Sequence, residues 1–155
     1  MPGTWTLVDK EFGYYAGELT QGTHYTINST NATADTQIVC IKYGHMIYFR
    51  VSLVNKVAVG DTTLPMFTLN YNKIGISAIT YTKTQVVGSS DGGEAIVLGT
   101  LNWETGAFTT VDVIPVADGG SLNAGSTTVW HIYALIKDDN KLDSSCNKFW
   151  WRRTA

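Results

Sequence analysis

The stretch QIVCIKYGHMIYFRVSLV, residues 37–54, decides the fold that we expect for this chain. Its second half carries apolar residues at every second position, namely Ile47, Phe49, Val51 and Leu53. This period is typical of a β-strand, because successive side chains of a strand point to opposite faces. The first half is equally rich in β-branched and aromatic residues, and Gly44 between the halves can adopt the positive φ of a tight turn. The stretch predicts a β-hairpin whose apolar face lies at the centre of the core.

Short β-prone segments continue on both sides of this hairpin. A polar, turn-rich segment at residues 21–36 predicts a loop with one edge strand around Tyr25 and Ile27. Pro65 marks a strand start or a sheet edge, because it cannot donate to a sheet ladder. Residues 94–101 and 107–116 predict a second hairpin, and residues 127–136 predict a strand that is apolar on both faces and therefore central or at an interface. The remaining extended segments are expected at residues 4–8, 12–19, 64–67 and 74–83.

Composition agrees with this pattern. The chain has 155 residues, of which 44% are hydrophobic and 15% are charged, and it contains many Thr, Tyr, Val and Ile residues. No long segment shows a helical apolar period with caps. We therefore predict an all-β fold, a jelly roll or β-sandwich-like barrel of short antiparallel strands. We expect one domain over residues 1–155, with its core in residues 3–136 and a C-terminal extension at residues 137–155.

Several classes of function are disfavoured. A formal charge of −2 gives no general attraction to nucleic acid, and no apolar run reaches the roughly 18 residues of a membrane span. Phosphate-loop, hydrolase and zinc-protease motifs are absent, so we expect neither an enzyme nor a cofactor. The acidic segment at residues 138–143 does not match EF-hand spacing, and we expect no metal site. Cys40 lies in an apolar strand and is expected to be a small buried hydrophobe.

Aromatic residues are the most informative group for function, with five Trp, eight Tyr and five Phe. Trp103 in a hairpin turn and Tyr71 in a polar loop are the least explained by packing. Exposed rings beside polar groups suit saccharides, because a ring stacks on the apolar face of a pyranose while neighbours bond its hydroxyls. We therefore predict saccharide contacts at Trp103 and Tyr71, with Glu104 and Asp91 as polar partners. The alternative is that these rings fold back over the barrel end or stabilise an oligomer.

The C-terminal run FWWRR, residues 149–153, has three interpretations. It could stack on nucleic acid, lie between subunits, or close the β structure as a last strand. The acidic charge of the whole chain disfavours the first. We predict that Trp150 and Trp151, together with Trp130 of the last strong strand, lie at an oligomer interface.

A set of short motifs occurs in an order that we recognise. GTWT opens the domain at residues 3–6, and KYGHMIYFR at residues 42–50 leads through a glycine turn into the long central strand. Leu64-Pro65 precedes an irregular stretch, Gly106 ends the second hairpin turn, and YALI at residues 133–136 ends the last strand. In these features, residues 3–136 resemble the distal β-barrel or jelly-roll head of bacteriophage receptor-binding and fibre proteins.

The resemblance implies a function as well as a fold. It implies a non-catalytic homotrimer in the virion, joined to other virion proteins, which attaches the phage to a bacterial cell-surface saccharide. Trimerisation would account for a strand that is apolar on both faces. The alternative is a structural virion protein, a capsid decoration or fibre component, without a glycan site. The binding loops of such heads differ, so the resemblance transfers no binding residue to this chain.

Overall fold

The predicted all-β class is confirmed by a computed structural model that describes residues 3–4, 6–9, 14–59, 63–76, 83–90, 95–115 and 122–135. Its strands form one antiparallel sheet that curls into a half-barrel. The strands are β1 (Thr6–Asp9), β2 (Tyr14–Glu18), β3 (Tyr25–Ile27), β4 (Gln37–Tyr43), β5 (Met46–Val54), β6 (Leu64–Leu69), β7 (Lys83–Ser90), β8 (Ala95–Asn102), β9 (Ala107–Pro115) and β10 (Thr127–Leu135). Between β6 and β7 lies a one-turn helix, α1 (Tyr71–Ile74).

The predicted hairpin at residues 37–54 is confirmed as β4 and β5, in register from Gln37↔Ser52 to Tyr43↔Met46. Its two-residue turn begins with Gly44 at φ 58°, which fits the primed turns that follow the twist of paired strands. The sheet order is β1-β2-β4-β5-β10-β7-β8-β9-β6-β3. β5 and β10 therefore lie side by side in the middle of the sheet, and they pair antiparallel from Thr127↔Val54 to Leu135↔Met46. The prediction of a central last strand is confirmed.

The core lies on the inner face of the curled sheet. The alternating apolar residues of β5 are buried as predicted, each at most 1% exposed, and Cys40 is buried beside them on β4. Burial raises the pKa of the Cys40 thiol well above its usual range, while nearby Lys42 opposes that shift. The largest fully buried side chains are Trp130, Phe49 and Phe108, and the Trp130 and Phe108 rings meet edge to face at 4.9 Å between centroids. Aromatic packing therefore joins β10 to β9 across the inner face of the sheet.

Two glycines make room for Trp130. A Cβ at Gly88 on β7 would lie 2.5 Å from the indole, and a Cβ at Gly99 on β8 would lie 2.7 Å from the Phe108 ring. Both distances are shorter than real carbon contacts. The indole therefore sits directly against the backbone of the neighbouring strands, and no larger residue fits at either position.

The second predicted hairpin is confirmed as β8 and β9 across residues 103–106, with a register shift between Leu98 and Gly99. The expectation of an extended segment from residue 74 is wrong at its start, because Ile74 ends helix α1; residues 77–82 lie outside the described part of the chain. Lys42, although only 4% exposed, reaches this helix end, where its Nζ donates to the Gly75 carbonyl at 2.7 Å.

The two ends of the sheet are joined by short connections. β2 and β3 stand near opposite ends of the strand order, yet only residues 19–24 link them. The prediction that β3 is an edge strand is confirmed. The Tyr25 hydroxyl donates to the Thr36 carbonyl at 3.0 Å, and the Leu19 amide donates to the Ile38 carbonyl at 2.8 Å. These connections cross at the surface formed by residues 18–37. We call this surface "the seam".

The close approach at Gly88 predicts a large effect of a small substitution. Gly88→Ala should lower the free energy of unfolding by about 1–3 kcal/mol, because its methyl group would overlap the enclosed indole of Trp130. Urea denaturation measures this change. Gly3→Ala is the matched control, since a Cβ there meets nothing within 4 Å, and it should shift stability by about 0.5 kcal/mol or less. Equal midpoints for the two variants would contradict the packing described here.

Candidate functional site

The structure places the predicted saccharide residue Trp103 in the core. Its side chain is 5% exposed, and its indole nitrogen donates to the Thr84 hydroxyl at 2.6 Å. Its ring lies parallel to that of Tyr71, 6.0 Å away between centroids, and 6.4 Å from that of Phe49. The expectation of an exposed stacking ring at Trp103 is therefore wrong, and the side chain folds back over the core instead.

Tyr71 is brought next to Trp103 but is itself partly buried. Its hydroxyl donates to the Asn102 carbonyl at 3.3 Å, and burial raises the pKa of that hydroxyl well above its usual range. Glu104 is exposed in the hairpin turn, where its amide donates to the Asn102 side chain at 2.9 Å. Asp91 lies outside the described residues. The structure therefore does not assemble these residues into an exposed aromatic site.

The predicted interface residue Trp130 is also buried. It is 0% exposed, and its indole nitrogen donates to the Thr128 hydroxyl at 2.9 Å. An interface role for Trp130 is wrong, because no part of its surface is open to a partner. Trp150 and Trp151 lie outside the described residues.

A cluster of aromatic rings with exposed members lies elsewhere, on the outer face of the two central strands. The β5–β10 register places Tyr48 opposite Tyr133 and Arg50 opposite His131. The Tyr48 ring stacks on the Tyr133 ring at 4.6 Å and on the His131 ring at 5.9 Å between centroids. We call Tyr48, His131 and Tyr133 the aromatic platform. Tyr133 is its most open member, at 63% exposed.

A short hydrogen bond fixes one side of the platform. The Tyr48 hydroxyl and Nδ1 of His131 lie 2.6 Å apart. Burial raises the pKa of Tyr48, Tyr133 raises it further, and Arg50 opposes the shift. The phenol of Tyr48 is thus kept neutral and oriented, and the platform presents stacked ring faces beside a hydroxyl, an imidazole and a guanidinium.

Exposed apolar side chains also lie on the platform strands and on the neighbouring β7. Met46 and Leu135 face each other across β5 and β10, 48% and 46% exposed, and Val87 on the neighbouring β7 is 62% exposed. Isolated exposed apolar residues are common in proteins, whereas a contiguous group marks a binding surface. These three residues, which we call the apolar margin, continue the platform across three adjacent strands.

Strand alternation in the sequence assigns Tyr48 and Tyr133 to their faces, but it does not reveal that they meet. Their contact depends on the register between strands whose paired residues lie far apart in the chain, from Thr127↔Val54 to Leu135↔Met46. Tyr48 and His131 are separated by 83 residues. The platform could have been found from the sequence only by predicting that β5 pairs with β10 and in which register.

Comparisons with protein-family models, with curated proteins and with solved structures find no match to this chain. Among the residues described, His, Cys, Asp and Glu side chains form no group of three that would hold a metal ion. Within the same residues, the helix present is far shorter than a membrane crossing requires. The site must therefore be interpreted from its own geometry.

The buried hydroxyl of Tyr71 predicts a loss of stability at alkaline pH. Burial raises the pKa of the folded tyrosine above that of the unfolded chain, which is about 10. Above about pH 10 the unfolded chain releases this proton and the folded chain retains it, so the unfolded state is favoured as pH rises. Tyr71→Phe should remove part of this decline while preserving the ring contact with Trp103. Urea midpoints at pH 8, 10 and 11 measure the difference, and parallel declines of both proteins would contradict it.

Proposed function

We propose that this chain is a non-catalytic attachment domain, the receptor-binding head of a bacteriophage fibre, which binds a bacterial cell-surface saccharide at the aromatic platform. The observation that carries the proposal is the stack of Tyr133, Tyr48 and His131 on the open face of the central strands. These rings contribute little to the core of the single chain. They instead form a surface whose chemistry suits a sugar.

The geometry supplies the two elements that sugar recognition needs. The exposed ring of Tyr133 offers a flat apolar surface against the C–H face of a pyranose. The Tyr48–His131 pair and Arg50 offer donors and acceptors for hydroxyl groups along the same two strands. Stacking and hydrogen bonding bind a ligand without breaking a bond, in keeping with a non-catalytic role.

Paired central strands hold these groups in place before a ligand arrives. β5 and β10 are hydrogen-bonded along their whole length, and the Tyr48–His131 bond limits rotation of both rings. A preformed surface loses less conformational entropy on binding. Binding at one shallow platform remains weak, and the homotrimer that we propose would strengthen it through several simultaneous contacts.

A second function is favoured by the apolar margin. Met46, Leu135 and Val87 extend the surface beyond the size of one sugar ring, and they add no polar group for a hydroxyl. Exposed apolar side chains on three neighbouring strands suit a protein contact. The second candidate is therefore a structural virion protein whose outer sheet face is covered by another copy or another virion protein.

Substitution of Tyr133 separates the two candidates. Under the attachment proposal, Tyr133→Ala should weaken binding to an array of bacterial wall and capsular polysaccharides by about tenfold, because it removes the stacking ring. The molar mass of this variant, measured by light scattering, should stay at about three times the 17.0 kDa of one chain. Since Tyr133 is exposed, the fold should be unaffected.

Val87→Ala is the control, because it shortens an exposed side chain of the apolar margin and leaves all three platform residues unchanged. It should leave polysaccharide binding intact. If either variant lowers the molar mass while polysaccharide binding per chain is retained, the outer sheet face is a contact between copies, as the structural candidate requires. If Tyr133→Ala binds every polysaccharide as the parent protein does, the platform is not the attachment site.

A further inference from the structure

The seam carries a second surface feature that is separate from the platform. Two adjoining clefts, of about 460 and 660 Å³, open along it and meet at Gln21 and Ala34, which line both. We call the smaller one the acidic cleft, the larger one the apolar cleft, and the two together the seam groove. None of the platform residues lines either cleft.

Backbone hydrogen bonds hold the walls of the groove. The Gly22 amide donates to the Tyr25 carbonyl at 2.7 Å, and the His24 amide donates to the Thr20 carbonyl at 2.9 Å. On the opposite wall, the Thr33 amide donates to the Val54 carbonyl of β5 at 2.9 Å. The connections that form the groove are thus tied to each other and to the sheet, so a ligand meets a preformed site.

The acidic cleft has a one-sided charge. Glu18 and Asp35 line it together with the amides of Gln21 and Gln37, and the described residues that line it include no Lys, Arg or His. Glu18 is half-buried at the end of β2, and Asp35 is exposed. This cleft therefore attracts a cationic or hydroxyl-rich group and repels an anion such as phosphate.

The apolar cleft has the complementary character. Ile27, Ala32 and Ala34 line it, and its surface is mainly apolar. Lys56 also lines it, and its Nζ donates to the Ser29 carbonyl at 3.1 Å. A ligand that fills the whole groove needs an apolar face at one end and donors, including a positive charge, at the other.

We infer that the seam groove binds an oligosaccharide that contains an amino sugar, with its free ammonium group in the acidic cleft between Glu18 and Asp35. A pyranose ring has the apolar face that suits Ile27 and the exposed Ala34, and its hydroxyls suit the amides of the acidic cleft. The ammonium group distinguishes this ligand from neutral sugars, because it forms charge-assisted hydrogen bonds with carboxylates. The inference rests on the proposed function in taking a saccharide as the ligand, but it assigns a separate site and a specific chemical class.

Paired probes test this assignment by isothermal titration calorimetry at mildly acidic pH, where the amines are protonated. The probes are a glucosamine tetramer with free amines and the fully N-acetylated tetramer of the same length. The free-amine tetramer should bind about tenfold more tightly. Equal affinity for the two tetramers would overturn the inference.

Carboxylate variants locate the interaction. Asp35→Asn, at an exposed position, should reduce the preference for the free amine, and Glu18→Gln together with Asp35→Asn should abolish it. Glu104→Gln is the matched control, because Glu104 is exposed in the β8–β9 turn and lines neither cleft. It should retain the full preference. A preference that survives in the double variant, or that is lost in Glu104→Gln, would show that the ammonium group binds elsewhere.

The thermal midpoint of each variant shows whether it is folded. If the double variant does not fold, the amine preference of Asp35→Asn alone tests the assignment. Tyr133→Ala separates this inference from the proposed function. It should leave the amine preference unchanged, because its ring lies outside the groove. Loss of the preference in Tyr133→Ala would place the amino sugar on the platform and overturn the assignment to the groove.

Discussion

The pairing of β5 with β10 is the constraint on which the rest of the structure depends. These strands come from distant parts of the chain, and they join the β1-β2-β4 side of the sheet to the β7-β8-β9-β6-β3 side. Their register places Trp130 inward against Gly88 and leaves His131 and Tyr133 on the outer face. A slip by one residue would exchange the two faces of β10, exposing the indole and burying the imidazole. The enclosed packing of Trp130 therefore specifies the register that also builds the platform.

Local pattern was sufficient to predict the hairpins and the buried face of β5. Alternation over residues 46–54 predicts the face that proves buried, and Gly44 supplies the turn that joins the two strands. It was insufficient at Ile74, where alternating residues begin in a helical turn whose end is held by the buried ammonium of Lys42. That contact spans 33 residues, and no local period contains it.

The candidate site was less predictable because exposure depends on tertiary partners. Trp103 lies in a hairpin turn, which usually indicates a solvent-exposed position, yet Tyr71 and Phe49 come from other elements to cover it. Tyr48 and His131 show the opposite case, since the sequence places each in a β-prone strand and only their pairing turns them into an exposed cluster. In both cases the decisive contacts join residues that are 30 or more positions apart.

Platform and groove differ in the forces that they offer a ligand, and their positions allow both to act in one assembly. The platform lies on paired strands and presents stacked rings with an apolar margin, so a ligand there would be held mainly by the burial of apolar surface. The groove lies at the seam and presents carboxylates and amides, so its binding depends on charge and hydrogen bonds. No residue belongs to both surfaces. A substitution in the platform therefore leaves every residue that lines the groove unchanged, and the two surfaces can be altered one at a time.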